Sequence, residues 1–221
     1  MINHRFKQSV SSYISNFSVV FWDFDGVIKD SVDIKTQAYE QLFLSYGDKV
    51  SQWVRSHHEA NGGMSRFEKI PLYLRKAGIR DDRVTVDNFC SKFSNLVVQK
   101  VIDSPWVPGV VDYLRRKDQS TIFVLVTATP TKEIEEIVDR IGISSCFQAV
   151  FGAPCDKADI ITDVMKKYSL RSDDALMIGD AKADLVAADK NSISFLLRKT
   201  SINLELQRSY IGSQFEDFSS E

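Results

Sequence analysis

Five short, unbroken apolar runs recur along the chain: SVVFWDF at 18–24, TIFVLVT at 121–127, FQAVFG at 147–152, DALMIGD at 174–180 and SISFLL at 192–197. Strands that bury one face alternate apolar with polar residues. Continuous runs like these are what parallel strands buried on both faces need. Longer stretches with helical spacing separate them. DKADIITDVMKKYSL places Ile160, Ile161, Val164, Met165 and Tyr168 on one face, as a crossover helix requires. TPTKEIEEIVDRIG repeats the pattern, with Thr131 as its expected cap and Gly142 as its stop. One block departs from this alternation. From 29 to 104 every segment reads as helix (QAYEQLFLSYG, VSQWVRSHHEA, SRFEKIPLYLRKAG, VDNFCSKFSNLVVQKVI), entered after IKDS and left through SPWVPG. The pattern predicts an α/β fold, a Rossmann-like parallel sheet core formed by 1–28 and 105–221. An all-helical cap domain is inserted over 29–104, with Pro105, Pro108 and Gly109 as stiff hinge residues.

Composition narrows the function. With 221 residues, 43% of them hydrophobic, the chain can build a substantial core. Lys+Arg at 28 against Asp+Glu at 30 leaves −2, so no basic field exists to hold a nucleic acid or an anionic membrane. Cys90, Cys146 and Cys155 are scattered and odd in number, which argues against a disulfide framework and for a reducing, cytoplasmic setting. The leader MINHRFKQSVSSYISNF lacks the continuous apolar centre of a signal peptide, and no apolar run reaches the roughly 18 residues of a membrane span.

Candidate chemistry gathers where the strands end. Ligands of open parallel sheets bind beyond the carboxyl ends of the strands. Strand one ends in Asp23 and Asp25, strand two in Thr127, Ala128 and Thr129, and strand four in Asp180, with Asp184 four residues on; Lys157 follows strand three. Clustered carboxylates repel one another unless a cation neutralises them, and an all-oxygen set suits Mg²⁺. Such a cation, with Lys157 and the Thr127 hydroxyl, would screen an anionic substrate from an anionic nucleophile.

Taken together, DFDGV, the Thr127 strand end, Lys157 and GDAKADLVAA resemble the four ordered motifs of the haloacid dehalogenase superfamily, and the helical insertion resembles its branch of phosphoglycolate phosphatases and β-phosphoglucomutase. The resemblance implies that Asp23 is a nucleophile forming an aspartyl-phosphate and that Asp25 is the general acid and base. It further implies that Thr127 holds the phosphoryl group and that Lys157 steadies nucleophile and phosphate. Asp180 would bind Mg²⁺ with Asp23 and Asp25, the last through its backbone carbonyl, and Asp184 would be a ligand or an orienting group. GGMSR at 62–66 is similar to the mutase's substrate-contacting stretch, which nominates Gly63, Ser65 and above all Arg66 as a clamp on a distal anion; Ala128 and Thr129 match its small-hydroxyl run. Gly179 before Asp180 follows the phosphatase form, since the mutase has an acid there.

Singly, each of these residues has a plainer reading. An Asp-x-Asp pair caps turns and helices, Lys157 and Asp184 suit exposed helix starts, and Arg66 could pair with Glu59 or Glu68. His57 and His58 point to different faces of a helix and read as solvated or half-buried. Trp22 and Phe24 read as sheet packing, with Phe24 also a wall of the site. The ordered set favours a Mg²⁺-dependent phosphatase of a small phosphorylated metabolite (a sugar, polyol or glycolate phosphate), monomeric or homodimeric. The alternatives are a sugar phosphomutase or a non-catalytic phosphate-binding or signalling domain. The tail from Thr200 onward carries no readable chemistry.

Overall fold

A computed structural model describes residues 9–116 and 121–219 of the chain. The first eight residues of the leader, and with them part of the reading that it is no signal peptide, lie outside the described residues, as do 117–120 and the last two.

The five apolar runs become β1 (Val19–Trp22), β2 (Ile122–Pro130), β3 (Ala149–Ala153), β4 (Ala175–Gly179) and β5 (Ser194–Arg198). A two-residue strand, β6 (Gln214–Phe215), completes a six-stranded sheet ordered β3-β2-β1-β4-β5-β6, parallel throughout. The first strand in sequence is thus central. Trp22 lies level with Leu125 on one side and Ile178 on the other; β1 and β4 end there or one residue later, while β2 runs on to Pro130, so that Thr127, Ala128 and Thr129 lie on its projecting end. Side chains alternate between two buried layers. Val20, Trp22, Leu125 and Ile178 enter one; Val19, Phe21, Val124 and Met177 enter the other. Helices α8 (Lys157–Lys167) and α9 (Lys182–Lys190) cover the second layer.

Between β1 and β2 run α2 (Val32–Phe43), α3 (Asp48–Ala60), α4 (Arg66–Lys76) and α5 (Arg83–Asp103), with no strand among them. They share an aromatic interior in which Tyr39 stacks on Phe93 with centroids 3.9 Å apart and meets Tyr73 edge-on at 5.4 Å. The two connections to the sheet run side by side. Asp30 N donates to Pro105 O (2.9 Å) and Val107 N to Ile28 O (3.0 Å). Between them the buried Lys29 donates to Ile102 O at 3.0 Å and lies 4.2 Å from the Trp106 ring centre. The exit connection is also tied to the tail, since Phe218 N donates to Pro108 O at 2.9 Å. Gly109, at φ +75°, faces the Phe218 backbone so closely that a Cβ would lie 2.6 Å from it. The short helices α1 (Val10–Ile14), α6 (Val110–Leu114) and α10 (Leu204–Ser209) and the longer α7 (Thr131–Arg140) fill the remaining surface.

Two expectations change. Thr131 does not cap α7 but opens it: Pro130 precedes, and the Thr131 hydroxyl accepts from Gly152 N (3.2 Å) and donates to Gly152 O (3.1 Å), stapling the helix start to β3. His58 is buried rather than solvated or half-buried, because α3 turns it inward against Tyr39 at 4.8 Å between ring centres.

Candidate active site

The last ladder bond of β1, from Asp23 N to Ile178 O at 2.9 Å, carries strand geometry as far as Asp23, and the chain then turns sharply through Gly26. Only glycine fits there: φ is +78°, and a Cβ would lie 2.1 Å from Asp180 Oδ2. On the neighbouring strand Asp180 emerges directly after β4, and Asp184 sits one turn into α9. Oxygens of Asp23, Asp180 and Asp184 lie within 4.8 Å of one another, and all three residues are buried.

Lys157 binds this triad together. It is the first residue of α8, whose start is capped by the Asp156 carboxylate accepting from Ala158 N at 2.8 Å. Its ammonium lies 2.9 Å from Asp23 Oδ1 and 2.6 Å from Asp184 Oδ1. Although burial works against its charge, Asp184 and Asp23 raise the Lys157 pKa. The other Asp184 oxygen accepts from Ala181 N at 3.1 Å, so Asp184 orients Lys157 and the loop carrying Asp180. Three carboxylates beside one ammonium leave two negative charges unbalanced. The strain is visible in their affinities for protons. Burial, outweighing the attraction of Lys157 and aided by Asp184 and Asp25, pushes Asp23 up to about 7. Burial, then Asp23 and Asp184, raises Asp180 well above the usual carboxylate range. A divalent cation with a preference for oxygen donors matches both the charge deficit and the donor set.

Asp25 has different company. Its carboxylate pairs with the Lys35 ammonium and accepts from the hydroxyls of Ser31 (2.6 Å) and Thr129 (3.2 Å); Lys35 also donates to the Thr129 hydroxyl at 2.7 Å. Burial tends to raise the Asp25 pKa, but Lys35 and these hydroxyls overcome it and hold it below the ordinary value. The Asp25 side chain therefore stands apart from the acidic triad. Thr127 is buried, with its hydroxyl accepting from Thr129 N at 3.3 Å, and Ala128 lies between them on the wall.

These groups open into a cavity of about 670 Å³, roofed by α2, α3 and α4. Gly63 and Ser65 form the loop before α4. Gly63, at φ +80°, is seated so that a Cβ would come 2.6 Å from the Ala183 Cβ at the start of α9. Ser65 caps α4, exchanging contacts with Glu68. Arg66 does reach the cavity wall, yet its partner is neither Glu59 nor Glu68. Its guanidinium grips Glu133 of α7 with two prongs (2.8 and 2.5 Å) and touches Ser94 at 2.5 Å. A cation already neutralised by a buried carboxylate offers a substrate anion little net attraction, so the geometry places Arg66 as a bolt between α4 and α7 rather than as a free clamp.

Several residues of the site lie outside the sequence reading. Lys35 had a signal: a lysine in the first turns of a helix faces the positive end of the dipole and is misplaced without an acid partner. Asn203, in the tail, donates to Asp180 O (2.7 Å) and to Arg198 O (2.8 Å), fixing the loop after β4. Lys69, in contact at 2.8 Å on the cavity wall with the His58 that the sequence reading took as solvated or half-buried, had none that spacing alone reveals.

With this geometry in view, comparison with known proteins is decisive about ancestry. The sequence model of the haloacid dehalogenase-like hydrolases matches residues 20–197, and the chain belongs to that family. Among individual relatives it is similar to "Phosphoglycolate phosphatase 1" of Pseudomonas aeruginosa, 27% identical over 183 residues that cover 77% of this chain and 65% of that protein. It is also similar to the "Phosphorylated carbohydrates phosphatase" of Thermotoga maritima, at 22% over 183 residues, 79% of this chain and 81% of that one. The fold is that of a predicted phosphoglycolate phosphatase from Haemophilus somnus, with a TM-score of 0.72 at 18% identity over 92% of this chain and 96% of the other. It is equally that of the β-phosphoglucomutase of Clostridium difficile, with a TM-score of 0.71 at 18% identity over 91% and 92%. Among the described residues, no helix is long and apolar enough to cross a membrane.

Proposed function

We propose that the protein is a Mg²⁺-dependent phosphatase that hydrolyses a small phosphorylated metabolite through an aspartyl-phosphate on Asp23. The observation that carries this reading is the buried triad of Asp23, Asp180 and Asp184 locked to Lys157 at the open end of the sheet. Asp23, the Asp25 carbonyl and Asp180 would hold the cation, which supplies charge neutralisation for the phosphoryl oxygens and for Asp23. Asp23 attacks phosphorus, Lys157 fixes its carboxylate, and Thr127 donates to the transferred group. Asp25, ionised by its contact with Lys35, is in the form that activates water for the second half of the reaction. In the first half Asp25 must take up a proton, from solvent or the arriving phosphate monoanion, as Lys35 loosens its hold, and it passes that proton to the alcohol oxygen as the bond from phosphorus to that oxygen breaks. The helices over 29–104 would act as a cap that keeps bulk water from the cavity.

A mutase reading is disfavoured by space as well as by sequence. At Gly179 a Cβ would lie 2.3 Å from the Asp184 Cβ, so the site has no room for the acid that the mutase pattern carries before Asp180. The test is turnover of p-nitrophenyl phosphate and of phosphorylated sugars, polyols and glycolate. Free phosphate should accumulate with Mg²⁺ and stop on chelation, and Asp23→Asn should lose turnover by at least about a thousandfold, because an amide does not attack phosphorus. Full activity of that variant, or unchanged rates after chelation, overturns the proposal.

A further inference from the structure

Among the described residues, the buried cations around the cavity are compensated with one exception. Lys35 is bound to Asp25, Lys157 to Asp23 and Asp184, and Arg66 to Glu133. Lys69, on the inner face of α4, is 1% exposed and has no carboxylate partner among the described residues. Its ammonium donates to His58 Nδ1 at 2.8 Å and lies 5.8 Å from the centre of the Tyr39 ring. His58 brings no negative charge. Burial, then Lys69 itself, lowers its pKa to about 2, so the ring stays neutral and acts as an acceptor that aims the amine. A buried cation left without an anion is costly, and the cost is commonly recovered when a ligand supplies the missing charge. Lys69 also sits near enough to Asp25 and Lys35 to feel both charges, which puts it on the same chamber as the reacting groups.

We propose that Lys69 determines specificity: it receives a second anionic group, a carboxylate or phosphate, on the part of the substrate remote from the phosphoryl group. The inference rests on the phosphatase reading and narrows it to phosphate monoesters that carry a second negative charge. Burial and the neighbouring Lys35 charge bring the free amine down to about 7, so the arriving anion stabilises the protonated form that binds it.

The experiment compares phosphoglycolate with hydroxyethyl phosphate, which matches it in size but has an uncharged tail, in the full-length protein and in Lys69→Met and Arg66→Met. Lys69→Met should reduce kcat/KM for phosphoglycolate about tenfold more than for hydroxyethyl phosphate, with the loss residing in KM. Arg66→Met should damage both esters alike. Lys69→Gln, which keeps a donor toward His58 without the charge, should shift the ratio in the same direction and serves if the methionine variant does not fold. An unchanged ratio in the Lys69 variants, or a larger change of ratio in Arg66→Met, overturns the inference while leaving the phosphatase reading intact. If the unaltered protein turns over no ester at all, including p-nitrophenyl phosphate, both fall together.

Discussion

At the scale of single residues the site is governed by which charges have partners. Lys69 shows this without reference to turnover. Its folded-state value of about 7 lies below the ordinary 10.5, so between these limits the unfolded chain holds a proton that the folded chain has released. Stability should therefore rise with pH from 7 to 10.5, by an amount on the order of several kcal/mol, and show no further contribution from this group below 7, where both states are protonated. The other charges facing Lys69 are those of Lys35, Glu68 and Asp25, with His58 neutral throughout that window. Urea denaturation across it should give a clear slope for the native protein and a flatter one for Lys69→Met, which should also be the more stable protein at neutral pH. A steeper slope in the variant would contradict the account.

At the scale of elements, α4 and α7 are joined by a bolt whose halves stand far apart in sequence. Glu133→Gln removes one charge and leaves the Arg66 guanidinium buried without its counterpart. That loss should cost about 3–5 kcal/mol in chemical denaturation, whereas Arg66→Met combined with Glu133→Leu should recover most of it. Such long-range pairs mark the limit of what the sequence discloses. The five apolar runs were legible because burial on both faces writes itself locally as consecutive Val, Phe, Leu and Ile. Asp23, Asp25, Asp180 and Lys157 were legible because each stands at the end or exit of such a run. Arg66 with Glu133 and Lys69 with His58 were not, since each pairing is decided by how two helices pack, and a glutamate in the first turn of α7 is ordinary. The tail was opaque for another reason. The two-residue β6 is too short for any period to show, and Asn203 acts through a single amide reaching Asp180 O.

At the scale of the molecule, the loop between α3 and α4 touches the start of α9 through small residues placed beside the acids. Gly62 and Gly63 lie against Ala181 and Ala183, where Cβ atoms would come within 3.3 and 2.6 Å. Gly63→Ala should thus both strain a left-handed backbone and lift the loop from α9. We expect a loss of about 1–2 kcal/mol in stability and a larger fall, about tenfold, in kcat/KM for a small phosphate ester, measured side by side. A variant with unchanged kinetics would show that this seam does not hold the cavity closed. The order of the strands has a consequence for the protein's birth as well. β1 is made first, but its partners are Ile122–Leu125 and Ala175–Ile178, delivered much later at a synthesis rate of about 5–20 residues per second. Asp23 must wait, exposed and without its ladder, while the helices that follow it can already settle through contacts near in sequence. A nascent chain halted before β4 carries Asp23 but neither Asp180 nor Asp184, so the acidic triad, and the charge deficit that goes with it, comes into being only after β4 has paired with β1.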